Sequence, residues 1–157
     1  MHWACRWVAL MAFGWRLGAA TLLLYGGEGA IGLPVFAGLA GGPAVLAGPT
    51  AGYILGFVPA AALVGYLAER GWDRNVGLTA LAMLAGNLAI YLPGVSWLTL
   101  FYAGPGQAYV ASTGASSPLG AAFAAGLLPF LFGDLLKLML AAAILPLAWR
   151  TIARWRK

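Results

Sequence analysis

Charge is what this sequence has least of. Only 8% of the 157 residues are charged, and just four are acidic: Glu28, Glu69, Asp73 and Asp134. An ordinary soluble domain carries about 25% charged residues, so the composition excludes one. Cysteine occurs once, at Cys5, which rules out an internal disulfide, and histidine once, at His2. Neither has partners at metal-ligand spacing, so no metal and no cofactor is expected. A G-x-x-x-x-G-K-[ST] phosphate loop is also missing, so this chain has no means of its own to hydrolyse ATP. The first residues lack the basic, apolar, small-residue order of a cleavable leader. Nor is there a hydrophilic block from which to build a second domain, and the reading is one domain over residues 1–157.

What the chain does have is apolar surface. Hydrophobic residues make up 62%, and the mean hydropathy is +0.88. No charge occurs from Gly29 to Ala68 or from Asn75 to Gly133. Crossing about 30 Å of hydrocarbon takes about 20 helical residues. Ala51 to Ala68 with its flanks and Val76 to Tyr102 satisfy this, Leu17 to Gly32 is on the short side, and Asp134 to Ile152 is the last span. These features predict an all-α integral membrane protein. Arg150, Arg154, Arg156 and Lys157 crowd the C-terminus, and Arg70 and Arg74 sit in the only internal polar cluster. Cations favour the cytoplasmic side of a membrane, so the tail reads as an anchor and not as a nucleic-acid site. The resulting topology is multi-pass in a prokaryotic cytoplasmic membrane. Residues 26–50 form an external Gly-rich loop, 69–75 a cytoplasmic loop, 104–132 an external or re-entrant segment, and 150–157 a cytoplasmic basic tail. Trp3, Trp7, Trp15, Trp72, Trp149 and Trp155 fall near the interfaces, where indoles collect.

Two segments do not fit a plain bundle. The stretch from Gly26 to Gly52 is rich in Gly and Pro yet studded with Ile, Leu, Val and Phe. A flexible linker would be polar, so this one is expected to fold back over something apolar, with Glu28 solvated within it. The stretch from Pro105 to Phe132 is full of turn formers. It predicts a short helix from Leu119 to Leu128 that stops at Pro129, with Asp134 at or near the N-cap of the last span. Irregular backbone at membrane depth is tolerated only where protein or a cavity covers it, which points to a cavity.

Asp134 and Lys137 lie three residues apart in an otherwise uncharged run, so they share a helix face. An ion inside the bilayer costs at least about 2.5–3.5 kcal/mol and usually faces a cavity on a substrate path. The plainer alternative is a capping Asp plus a snorkelling Lys. Asn87 and Tyr91 share a face at i, i+4, either lining a pocket or hydrogen-bonding between helices. Gly48, Gly52 and Gly56 recur every fourth residue, which suits close helix packing or backbone contact with a ligand.

Four blocks in order then resemble a known family: "GLPVFAG" (Gly32–Gly38), "GPTAGYILGF" (Gly48–Phe57), "GNLAIYLPGVSWL" (Gly86–Leu98) and "PFLFGDLLK" (Pro129–Lys137). They are similar to BioY, the biotin-specific substrate-binding S components of energy-coupling factor (ECF) vitamin transporters, over roughly Arg16 to Leu145. The resemblance implies a transmembrane bundle of the ECF S-component type that holds biotin near its external face and is not an enzyme. Asp134 and Lys137 would contribute to biotin binding, with Asn87 and Tyr91 lining the pocket. Gly32, Leu33, Pro34, Val35, Phe36, Gly48, Gly52 and Tyr53 would form the lid or the loop near it. Implied partners are biotin, membrane lipid, and a transmembrane coupling subunit with two ATPases, or else further copies of the chain; nucleic acid is not among them. The family has six helices, whereas about five hydrophobic segments are read here. The family's first helix supplies small residues that dock the coupling subunit, so the start at Met1 bears on docking.

Three other functions stay in competition. An S component for another small vitamin is the nearest, and a non-transporting membrane assembly protein would use the glycines for packing alone. An intramembrane enzyme lacks a nucleophile with a partnering base, since Ser112, Ser116 and Ser117 have no His beside them.

Overall fold

The computed structural model describes residues 15–155, with side chains as far as Ile144 and at Pro146. His2, Cys5, Trp3, Trp7 and the hydrophobic segment before Phe13 lie outside the described residues, as do Arg156 and Lys157. Helix α1 runs Trp15–Ala30. A loop with a 3-10 turn at Ala37–Leu39 and the short helix α2, Pro43–Leu46, leads to α3, Ala51–Glu69. After a 3-10 turn at Trp72–Arg74 come α4, Val76–Ala103, two further 3-10 turns, α5, Pro118–Gly126, and α6, Leu128–Trp155. No strand occurs among the described residues.

Ala51–Glu69, Val76–Ala103 and the run Pro118–Ile144 are long and apolar enough to cross a membrane. Together with an all-helical build, they make this a membrane protein. The central element is α4, which contacts α3, α5 and α6, while α1 packs on α3. Its start is well specified. Asn75 caps it by accepting from Gly77 N at 2.9 Å and Leu78 N at 3.4 Å, the usual N-cap arrangement. The buried Thr79 hydroxyl donates to the carbonyls of Trp72 and Asn75, pinning the α3–α4 turn.

Small residues set how closely the helices approach. A Cβ on Gly56 would lie 2.9 Å from Pro93 Cγ and 3.0 Å from Ile90 Cα, and one on Gly52 would overlap Trp97 and the Pro93 carbonyl. These two glycines therefore seat α3 against α4. Gly48 stands in the turn before α3, where its carbonyl accepts from Trp97 Nε1 at 2.9 Å. The core falls into two parts. One joins Leu22, Phe57, Ala60, Ala61, Val64, Ala82, Met83 and Ala141 from α1, α3, α4 and α6. The other joins Leu98 and Tyr102 of α4 to Ala121 and Ala122 of α5.

The structure corrects three expectations. The short helix ends at Gly126, not at Pro129; the break falls on Leu127, with φ −118° and ψ −58°. Pro129 belongs to the first turn of α6, where a missing N–H forfeits no intrahelical hydrogen bond. Asp134 is therefore no N-cap but lies more than a turn inside the helix. Likewise α1 continues through Gly26, Gly27 and Gly29, which places Glu28 in its last turn and starts the loop at Ile31.

Candidate ligand-binding site

Between the two core parts lies a cavity of about 380 Å³, at the lower end of the roughly 300–1,000 Å³ usual for small-molecule sites. Each wall follows from helical periodicity. On α3, Tyr53, Ile54 and Phe57 face it; on α4, Asn87, Ile90, Tyr91, Leu98 and Tyr102; on α6, Phe130, Asp134 and Lys137. Tyr25, Phe36, Ala37, Pro49, Thr50, Ala125 and Gly126 complete the lining.

Most of this wall is apolar, and the polar groups gather on facing sides of α4 and α6. Lys137 Nζ lies 3.1 Å from Asp134 Oδ1. The other carboxylate oxygen of Asp134 accepts from the Tyr91 hydroxyl, a bond that ties α4 to α6. Lys137 and Asp134 side chains keep 31% and 21% exposure, so neither bears the full desolvation cost of a sealed ion pair. The Asn87 amide lines the same cavity. A carboxylate, an ammonium, a phenol and an amide sum to no net charge yet offer several donors and acceptors. Such a set suits a small neutral polar group held against an apolar wall.

The Gly-rich loop covers one side. Phe36, 6% exposed although it sits in a loop, packs edge-on against Tyr25 at 5.5 Å. Its ring occupies the space a Cβ on Gly29 would need. The Tyr25 hydroxyl donates to the Val35 carbonyl at 3.0 Å, and Gly42 N donates to the Gly29 carbonyl at 2.7 Å. The loop is thus fastened to the end of α1.

All four residues proposed from sequence to bind ligand, Asp134, Lys137, Asn87 and Tyr91, line this one cavity. Of the residues expected at the lid or near it, Phe36 in the loop and Tyr53 on α3 line it; Gly32, Leu33, Pro34 and Val35 do not, and Gly48 and Gly52 serve α4 contacts. Sequence reasoning missed Tyr25, Thr50, Phe57, Leu98, Tyr102 and Phe130. Helical spacing held the signal for several of them: Phe57 is four residues beyond Tyr53, Leu98 seven beyond Tyr91, and Phe130 four before Asp134.

Comparison with known proteins decides the family. The BioY family model matches residues 2–154. The chain belongs to the BioY family. It is 37% identical over 137 residues to the "Probable biotin transporter BioY" of Pyrococcus horikoshii, a match covering 87% of this chain and 71% of that protein. It is 38% identical over 146 residues to the "Biotin transporter BioY" of Rhodobacter capsulatus, covering 90% and 70%. The crystal structure of the S-component for biotin from an ECF-type ABC transporter superposes with a TM-score of 0.71 at 22% identity, over 94% of this chain and 72% of that one. At that identity the superposition establishes a shared fold, the ECF S-component bundle.

Proposed function

We propose that this BioY-family chain binds biotin and serves its uptake across the cytoplasmic membrane, as the substrate-specific subunit of an ECF transporter. It is a transport protein and not an enzyme. The observation that carries the reading is the neutral Asp134–Lys137–Tyr91 cluster at one side of an otherwise apolar, loop-covered cavity. Biotin has a cyclic urea with N–H donors and a carbonyl acceptor, a thioether ring that needs an apolar wall, and a carboxylated tail. Asp134, Lys137, Asn87 and Tyr91 are the groups we assign to its polar atoms. Tyr25, Phe36, Tyr53 and Phe57 we assign to its apolar surface.

Binding alone does not move a ligand inward. With no phosphate loop in the sequence, we assign the work to a transmembrane coupling subunit and its two ATPases, or to further copies of this chain. No cofactor is needed for binding. The orientation that fits the cation distribution puts the Gly-rich loop and residues 104–117 outside and the Trp72 turn and C-terminus inside.

The deciding experiment is equilibrium binding of labelled d-biotin to the folded, detergent-solubilised protein, with unlabelled biotin, thiamine and riboflavin as competitors. Saturable binding displaced by biotin alone supports the proposal. Displacement by another vitamin would reassign the substrate, and absence of any binding would reject the reading.

A further inference from the structure

One aromatic side chain in the cavity wall is held by more constraints than lining requires. The Tyr53 hydroxyl donates to the Gly126 carbonyl at 3.0 Å, crossing from α3 to the end of α5. That carbonyl is released by the helix break. Pro129 has no N–H to offer it, and Phe130 N donates instead to the Leu127 carbonyl at 3.0 Å. A carbonyl left without a donor inside a membrane protein is costly, and Tyr53 supplies the donor. The ring itself is socketed by two glycines on different helices. A Cβ on Gly94 would overlap the ring, and one on Gly126 would overlap its hydroxyl. It meets Tyr91 edge to face, with ring centroids 6.4 Å apart and planes at 87°. Tyr91 in turn donates to Asp134, whose other oxygen takes Lys137.

We propose that Tyr53 is a positioning residue for ligand recognition: anchored on the Gly126 carbonyl and wedged between two glycines, its ring holds Tyr91 at the Asp134 carboxylate. A rotating Tyr91 would let the carboxylate swing, and the ligand would meet several orientations of Asp134 instead of one. The ring of Tyr53 forms part of the apolar wall, but its hydroxyl is committed to the backbone, so the hydroxyl's influence on the ligand passes through Tyr91. This proposal rests on biotin as the ligand only in its binding arm.

The test has two arms. In the first, 3-fluorotyrosine is placed at position 91 and its fluorine resonance recorded in detergent without ligand. Tyr53→Phe is expected to shift or broaden a line that is single and sharp in the parent. An unmoved line overturns the proposal, whatever the chain binds. In the second, biotin affinity is measured in a cycle of Tyr53→Phe and Tyr91→Phe. We expect Tyr53→Phe to weaken binding about tenfold in the parent and less than about twofold once the Tyr91 hydroxyl is gone, because residues acting in series are not additive. Equal losses in both backgrounds would mean that the Tyr53 hydroxyl acts on the ligand without Tyr91 or merely stabilises the fold, and would also overturn it. If Tyr53→Phe does not fold, Gly126→Ala, which displaces the same hydroxyl from the other side, is read in its place. A parent chain that binds no biotin counts against the proposed substrate and leaves the resonance arm to decide this point.

Discussion

Asp134 accepts two hydrogen bonds from groups on two different helices, and that dual role makes it the most informative single residue. Hydrogen bonds to charged groups are worth about 1.5–3 kcal/mol, which corresponds to about 10- to 150-fold in affinity. Asp134→Asn keeps the shape but loses the charge, and Lys137→Ala leaves the carboxylate without its counter-ion. Each is expected to weaken biotin binding within that range, as checked by the dissociation constant of labelled biotin. Tyr91→Phe removes one donor to that carboxylate and is expected to fall at the lower end of the same range, about tenfold. At this scale the charged members of the site were legible in sequence because they interrupt long uncharged runs. Tyr25 and Tyr102 were not, because aromatics make up 13% of the chain and nothing local separates a lining ring from a packing one.

Among the elements, the decisive one is the break at Leu127. It lets α5 lie beside α4 while α6 starts afresh and turns Phe130, Asp134 and Lys137 toward the cavity. Sequence reasoning anticipated a break here and misplaced it, because Pro129 reads equally as a stop or as a first-turn residue. The α3–α4 seam was better marked, since glycines four apart admit only a few geometries. Gly56→Leu must push Pro93 and Ile90 aside, and overpacking of that kind costs about 1–3 kcal/mol. A lower melting temperature in detergent is the expected outcome, with weaker biotin binding because Ile90 and Tyr91 move together. The loop offers a different test. Gly42 has φ +99° and ψ 165°, a conformation open essentially to glycine alone. Gly42→Ala should loosen the tie to the Gly29 carbonyl and speed biotin dissociation, measured by chase with unlabelled ligand, while the helices keep their melting temperature.

For the molecule as a whole, hydropathy and charge marked Ala51–Glu69 and Val76–Ala103 closely, because a bilayer imposes length and polarity on any helix that crosses it. The third apolar run, Pro118–Ile144, was read only from Asp134 onward, because its turn formers made the part before it look external or re-entrant. The cavity was foreseen in kind, from irregular backbone that needs cover, but its walls depend on which faces meet, and only tertiary structure fixes that. The proposed orientation predicts that Tyr109→Cys reacts with a membrane-impermeant maleimide in intact cells and that Arg70→Cys reacts only after permeabilisation, in a background where Cys5 is replaced. The opposite labelling would invert the topology. One feature of α4 extends beyond the ligand. Leu78, Leu81, Leu84, Leu88 and Leu92 are 37–68% exposed along one side of that helix, so a large share of this protein's surface is solvated by acyl chains. Its folding free energy in water is then not a defined reference quantity. Chain length and headgroup of the surrounding amphiphile act on it as temperature and denaturant act on a soluble enzyme, and a melting curve belongs to protein and solvent jointly.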